Sequence, residues 1–220
     1  MSLDKVVRTL LKYPLKLIFG IRVVGEENIP HEGGFLLCAN HTSMVDVIPI
    51  AVGMRHQPRY MAKKEALSVP VAGAFLRALG AFSVDRGGAD VGAVKTAISI
   101  LKEGGVVSMF PQGHRYPKVA ARSTPVRNGA GLIAYRAGCG VLPVYIKSKS
   151  GKFGAFRRNE IIYGKLIPFE ELGFEKGGND EYKRAMEIIF GRICDLGVAA
   201  GAPLEIAAAA EAQKNGGTGE

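Results

Sequence analysis

Acidic residues are nearly missing from one long stretch of this 220-residue chain. Between Phe110 and Lys165, eleven Lys or Arg face a single acid, Glu160, so the stretch carries +10 and leaves −1 for the rest. A field of one sign attracts phosphate, anionic lipid or nucleic acid. No nucleic-acid-binding motif accompanies the charge, so no nucleic acid is expected as a partner. Cysteine is equally scarce. Cys38, Cys139 and Cys194 lie far apart on apolar segments without paired spacing, and no signal peptide pattern precedes them. They are expected to be reduced, buried and structural in a cytosolic protein. His31, His41, His56 and His114 lack metal-ligand spacing with any Cys or acid, so no metal is expected. There is no Gly-x-Ser-x-Gly elbow for a serine nucleophile. The segment 129–134 has the glycine spacing of a dinucleotide fingerprint but lacks a close preceding strand and an acid about 20 residues on, so it reads as close helix packing.

What is present begins with Asn40-His41-Thr42-Ser43-Met44-Val45-Asp46. The run 35–39 before it reads as a buried strand, and Val47-Ile48-Pro49-Ile50-Ala51 after it as the start of a helix. An imidazole with one nitrogen bonded to a carboxylate keeps a single tautomer, leaving the other nitrogen to accept a proton from a hydroxyl near neutral pH. Residues five apart on a regular helix point about 140° away from each other. His41 and Asp46 can therefore meet only if the histidine precedes the helix and the aspartate lies at its start. The plainer alternative is that Asn40, Thr42 or Ser43 caps the helix while Asp46 complements its positive end. The stretch alone supports either reading.

Strand candidates at 21–24, 35–39, 59–63, 81–85, 106–110 and 141–147 alternate with helical stretches near 46–54, 71–79, 90–103 and 129–137. A final strand pair is expected around 158–167, then a helix over about 180–198 capped by Asn179 or Asp180. Alternation of this kind predicts a single α/β domain, a mixed and mostly parallel sheet covered by helices. Residues 21–200 form that domain. Residues 3–19 place Leu3, Val6, Leu10, Leu11 and Phe19 on or near one stripe, with Lys5, Arg8, Lys12 and Lys16 off it. This basic amphipathic helix, within 1–20, is too short and charged to span a bilayer but suited to lie on an anionic membrane surface. An ordinary helix docked on the core is the alternative. The Ala- and Gly-rich end, 201–220, is expected to be a flexible tail.

After the strand at 106–110 comes Phe110-Pro111-Gln112-Gly113-His114-Arg115, a turn in which Arg115 offers a planar fork to an anion. Ligands of open α/β sheets gather at the carboxyl ends of strands. If the strands before His41 and before Phe110 are parallel, both turns share one rim. Arg86, just after the strand at 81–85, joins them by the same rule, and Arg127 precedes the next helix.

On these residues the chain resembles the 1-acylglycerol-3-phosphate acyltransferase family of glycerolipid acyltransferases. That family's signature is Asn-His-x-x-x-x-Asp followed some 65–75 residues later by Phe-Pro-Glu-Gly-Thr-Arg, matched here by 40–46 and 110–115. Its intermediate block resembles Lys63-Lys64-Glu65 through Asp85-Arg86, and its later elements resemble 127–129 and 141–144. The resemblance covers roughly residues 20–170. It implies transfer of an acyl chain from acyl-CoA or acyl-ACP to the sn-2 hydroxyl of lysophosphatidic acid, at the cytoplasmic face of a membrane, by a peripheral or monotopic enzyme. His41 would be the general base and Asp46 its orienter. Arg115, with Arg86 and Arg127, would grip the phosphate, and Gln112, Gly113 and His114 would complete the binding turn. No cofactor is implied, the acyl thioester being a substrate. Gln112 stands where the family has Glu and His114 where it has Thr, which leaves two alternatives: a different lysophospholipid acceptor, or a non-catalytic anionic-lipid-binding protein of the same fold.

Overall fold

The run 35–39 is buried at every position and forms a central strand of a seven-stranded sheet. A strand covered on both faces has no need of polar alternation, which is why this segment is continuously apolar. The computed structural model describes residues 12–84 and 91–202. In chain order these contain α1 (12–18), β1 (Ile21–Val24), β2 (Phe35–Ala39), α2 (Val47–Gly53), β3 (Pro58–Lys63), α3 (Lys64–Ser68) and α4 (Pro70–Ala78). There follow β4 (Ala81–Val84), α5 (Val91–Lys102), β5 (Val106–Met109), α6 (Gly129–Ala137), β6 (Val141–Ser148), β7 (Asn159–Tyr163) and α7 (Asn179–Ala199). The sheet order is β1-β7-β6-β2-β5-β3-β4. From β6 to β4 every pairing is parallel, while β7 runs antiparallel to β6 and carries β1 parallel to itself. This is the mixed, mostly parallel α/β sheet that the alternation predicts.

Two hydrophobic layers lie on the two faces, and β2 divides between them with a period of two. Phe35, Leu37 and Ala39 join Ile48, Ile50 and Val52 of α2, whereas Leu36 and Cys38 join Ala97 of α5, Ile133 of α6 and Ile189 of α7. All three cysteines are buried and unpaired. Burial pushes the Cys139 thiol up to about 11 and raises that of Cys38 further, so neither is a ready thiolate.

Local differences from expectation have physical causes. The helix α3 comes as a separate turn before Pro70, which cannot continue a helix begun before it. In place of a strand pair at 158–167 there is one strand, β7, and then an isolated bridge from Ile167 to Val141. Neither Asn179 nor Asp180 caps α7. Its N-cap is Gly178, and Glu181 turns back to accept the N–H groups of Glu175 and Gly177, each at 2.9 Å. Those bonds favour the ionised form and hold the Glu181 carboxyl below its usual range.

The glycine-rich segment at 129–134 does serve packing. A Cβ at Gly131 would lie 2.6 Å from the Tyr182 carbonyl oxygen of α7. Gly131→Ala should therefore cost about 1–3 kcal/mol in urea unfolding, the usual scale for overpacking a helix contact; an unchanged midpoint would contradict this packing.

Candidate active site

β2 and β5 are neighbours and parallel, with Cys38 opposite Met109, so the segments that follow them emerge from one edge of the sheet. On the other side of β2, Asn40 extends the ladder with its side chain. Its Nδ2 donates to Ile146 O at 3.0 Å and its Oδ1 accepts from Ile146 N at 2.7 Å. The amide thus replaces a strand residue, satisfying β6 while the main chain turns away.

Asp46 sits at the N-cap of α2 and is fully buried. An isolated buried carboxylate would be prohibitively costly, and here it is surrounded by donors. Its Oδ2 accepts from Thr42 N at 2.6 Å, Ser43 N at 2.8 Å and His41 Nδ1 at 2.9 Å, and its Oδ1 accepts the Thr42 hydroxyl at 3.3 Å. The side chain faces back into the turn, so α2 has no side-chain cap at all. Ser43 gives its backbone N–H to Asp46 and does not cap the helix, correcting that expectation. Because an ionised carboxylate can only accept, Nδ1 is the nitrogen that donates, and a neutral imidazole so held keeps its lone pair on Nε2. The imidazole is 18% exposed, open enough for a substrate hydroxyl to reach.

The second motif grips the same histidine. Phe110 stacks on the imidazole with centroids 4.0 Å apart and planes 14° from parallel. Gln112 Oε1 accepts from His41 N at 2.6 Å, Gln112 Nε2 donates to Thr124 Oγ1 at 2.6 Å, and Thr124 donates on to Ala121 O at 2.6 Å. Tyr116 N donates to His41 O at 2.8 Å. Gln112 is 2% exposed, and its amide uses a donor and an acceptor at once. A glutamate there could accept from His41 N but could not donate to Thr124 in its ionised form.

Beyond this bridge the motif turns outward. Gly113 has φ 70°, and a Cβ on it would lie 2.7 Å from Arg127 Nε, so the arginine lies against the glycine. Arg127 N donates to Pro111 O at 2.9 Å and its Nη2 lies 3.5 Å from His114 Nε2. His114, Arg115 and Arg127 are all exposed. Arg115 has no hydrogen bond or ion pair among the described residues. Arg86 lies outside the described residues; β4, which precedes it, runs parallel to β2 and β5 through β3. His41, Asp46, Gln112, Gly113, His114 and Arg127 are thus joined by direct contacts, and Arg115 belongs to the same turn.

On the β6 side of the histidine a cleft of about 460 Å³ opens, lined by Asn40, Thr42, Lys118, Tyr145, Lys147 and Lys149 among others. Sequence reasoning missed Thr124, Asn40's ladder bonds and Phe110's stacking role. Asn40 and Phe110 carried a signal, each as the first residue of its motif; Thr124 carried none. Among the described residues, no cluster of three His, Cys, Asp or Glu could hold a metal ion.

A carboxylate-held imidazole at the carboxyl edge of an α/β sheet, beside a turn bearing exposed arginines, is an arrangement that can take a proton from a hydroxyl held next to an anionic group. Residues 20–147 match the family model described as Acyltransferase. The 1-acyl-sn-glycerol-3-phosphate acyltransferase of Bacillus subtilis is 36% identical over 163 residues, 74% of this chain and 78% of the relative. That of Streptococcus pneumoniae is 32% identical over 162 residues, 70% of this chain and 57% of the relative. The crystal structure of the 1-acyl-sn-glycerophosphate acyltransferase from Thermotoga maritima superposes with a TM-score of 0.65 over 93% of this chain and 86% of that one. At 22% identity it shares the fold. The chain belongs to the acyltransferase family.

Gln112→Ala would leave His41 N without its acceptor and Thr124 without its donor. It should lower unfolding free energy by about 1–3 kcal/mol and reduce turnover along with it. A variant with unchanged stability and turnover would show that the bridge does not hold the histidine.

Proposed function

We propose that this protein transfers an acyl chain from acyl-CoA or acyl-ACP to the sn-2 hydroxyl of 1-acyl-sn-glycerol-3-phosphate, giving phosphatidic acid. The observation that carries this reading is the 2.9 Å bond from His41 Nδ1 to the fully buried Asp46, one strand away from the exposed cations of the second motif. The names of the Bacillus and Streptococcus relatives support the acceptor.

In the proposed reaction the acceptor phosphate lies against Arg115, with Arg127 and Arg86 adding charge around it and His114 completing the turn. The sn-2 hydroxyl then faces His41 Nε2, which takes its proton as the oxygen attacks the thioester carbonyl carbon. The tetrahedral intermediate collapses, the C–S bond breaks, and the departing thiolate recovers the proton from the imidazolium. Asp46 stabilises that imidazolium by charge while remaining ionised. The acyl thioester approaches from the β6 side, where the cleft and its lysines lie, and the phosphate from the β5 side. No metal ion and no cofactor other than the carrier of the acyl thioester enters this scheme. Gln112 satisfies both of its partners as an amide, so its difference from the family glutamate does not by itself favour a non-catalytic protein.

Among the described residues no helix is long and apolar enough to cross a membrane. A peripheral location at the cytoplasmic face, by way of the basic amphipathic amino end, suits the lipid acceptor. The described part of that segment is α1, with Tyr13 71% and Leu17 84% exposed; residues 1–11 lie outside the described residues.

His41→Ala should lower turnover by about two to four orders of magnitude while leaving the fold intact, as read by thiol release and circular dichroism; full activity in the folded variant would remove the base from the scheme. Arg115→Ala should impair use of lysophosphatidic acid far more than of a neutral monoacylglycerol, and equal loss with both acceptors would contradict a phosphate grip.

A further inference from the structure

The largest exposed apolar side chain among the described residues is not on α1 but far along the chain. Phe156 is 90% exposed and adopts φ 55°, a left-handed conformation that is uncommon for any residue with a bulky side chain. The loop presenting it is firmly held. Phe153, three residues earlier, is buried and stacks on Phe19 with centroids 5.4 Å apart and planes 7° from parallel. Asn159 donates its amide to Gly154 O at 2.8 Å and to Phe19 O. Phe156 N donates to Ile18 O at 2.7 Å. A well-anchored loop that points an aromatic ring into water has used its rigidity to put that ring there.

The neighbours define what would cover it. Through the Ile18 bond, Phe156 adjoins the end of α1, where Leu17 is 84% and Ile18 40% exposed. Within the two segments that carry these apolar groups the charge has one sign: Lys149, Lys152, Arg157 and Arg158 in segment 149–158, and Lys12 and Lys16 in α1, with no acid in either, while nearby Glu160 is paired with Arg22 and Lys147. Protruding apolar side chains on segments rich in cations match the acyl boundary and anionic headgroups of a bilayer.

We propose that the 149–158 loop is a second membrane-docking element, inserting Phe156 beside the end of α1 into an anionic bilayer. The inference rests on the lipid-acceptor reading above and adds the surface by which the enzyme meets the lipid. The loop also reaches the reaction centre: Phe153 N donates to Thr42 Oγ1 at 3.3 Å, and Thr42 N donates to Asp46. Docking through Phe156 therefore sets the edge bearing His41 close to the headgroups, where a lysophospholipid resides.

The chain contains no tryptophan, so one introduced indole reports alone. In the full-length protein, Phe156→Trp should give blue-shifted emission, quenched by spin-labelled lipid, on adding vesicles of phosphatidylglycerol and phosphatidylcholine. Pure phosphatidylcholine should produce neither change, and neither should occur for Lys102→Trp, exposed at the carboxyl end of α5 on the opposite edge of the sheet. Phe156→Asp should weaken retention on the anionic vesicles by about tenfold while leaving turnover of a short-chain, water-soluble acceptor unchanged. An indole at 156 that stays in water on vesicles that bind the protein would overturn the proposal, as would an equal response to neutral vesicles. So would a response to an acidic carrier protein in place of vesicles. Vesicle docking is read without any acyl donor, so docking without turnover would count against the proposed reaction, and turnover without docking against this loop.

Discussion

The carboxylate of Asp46 is the group on which the rest of the site depends. It has no exposure to solvent, and its stability as an anion comes from two backbone N–H groups, a hydroxyl and an imidazole gathered from three consecutive residues. Those donors can converge only if 41–43 wrap around the start of α2. The charge therefore fixes the turn as much as the turn positions the charge. Once wrapped, His41 has one orientation and one tautomer, and its backbone N–H and C=O point toward the second motif. There Gln112 and Tyr116 bind them. A single buried anion thus aligns two segments about seventy residues apart.

The parallel sheet explains why those segments meet. In the parallel part of the sheet, from β6 to β4, crossovers return each strand in the same direction as its neighbour, so the loops after those carboxyl ends reach the same rim. With β2 between β6 and β5, the histidine is flanked by a lysine-lined cleft on one side and an arginine-bearing turn on the other. In the proposed reaction this separation lets a thioester and a phosphorylated acceptor approach from opposite sides without competing for the same cations. The stacking of Phe110 against the imidazole, with Nδ1 bound to Asp46, restricts the ring to one plane, which is preorganisation supplied by the fold.

Much of this was legible in the residues because the signals are local. The apolar run at 35–39, the alternation of strand and helix candidates and the turn chemistry at 110–115 each announce themselves within a few positions, and together they give the sheet and the rim. The five-residue spacing of His41 and Asp46 even carried the condition for their meeting. The partners that make the site rigid were not legible, since each is distant in the chain: Asn40 with Ile146, Gln112 with Thr124, Thr42 with Phe153. No periodicity reports a side chain standing in for a strand residue, or an amide bridging two loops. The cap of α7 was misplaced for a related reason. Asn179 and Asp180 have the right chemistry, but the glycine before them, at φ 157°, lets the chain enter the helix one position earlier.

The central claim is that Asp46 holds His41 with its proton on Nδ1 and an accessible lone pair on Nε2. Long-range nitrogen NMR of the protein labelled with ¹⁵N-histidine tests this directly. At a pH where His41 is neutral, the account predicts a protonated Nδ1 and a pyridine-like Nε2 for residue 41, assigned by the loss of its signals in His41→Gln. A pyridine-like Nδ1 with the proton on Nε2 would contradict it, because that imidazole could neither donate to the carboxylate nor accept a proton from a substrate hydroxyl.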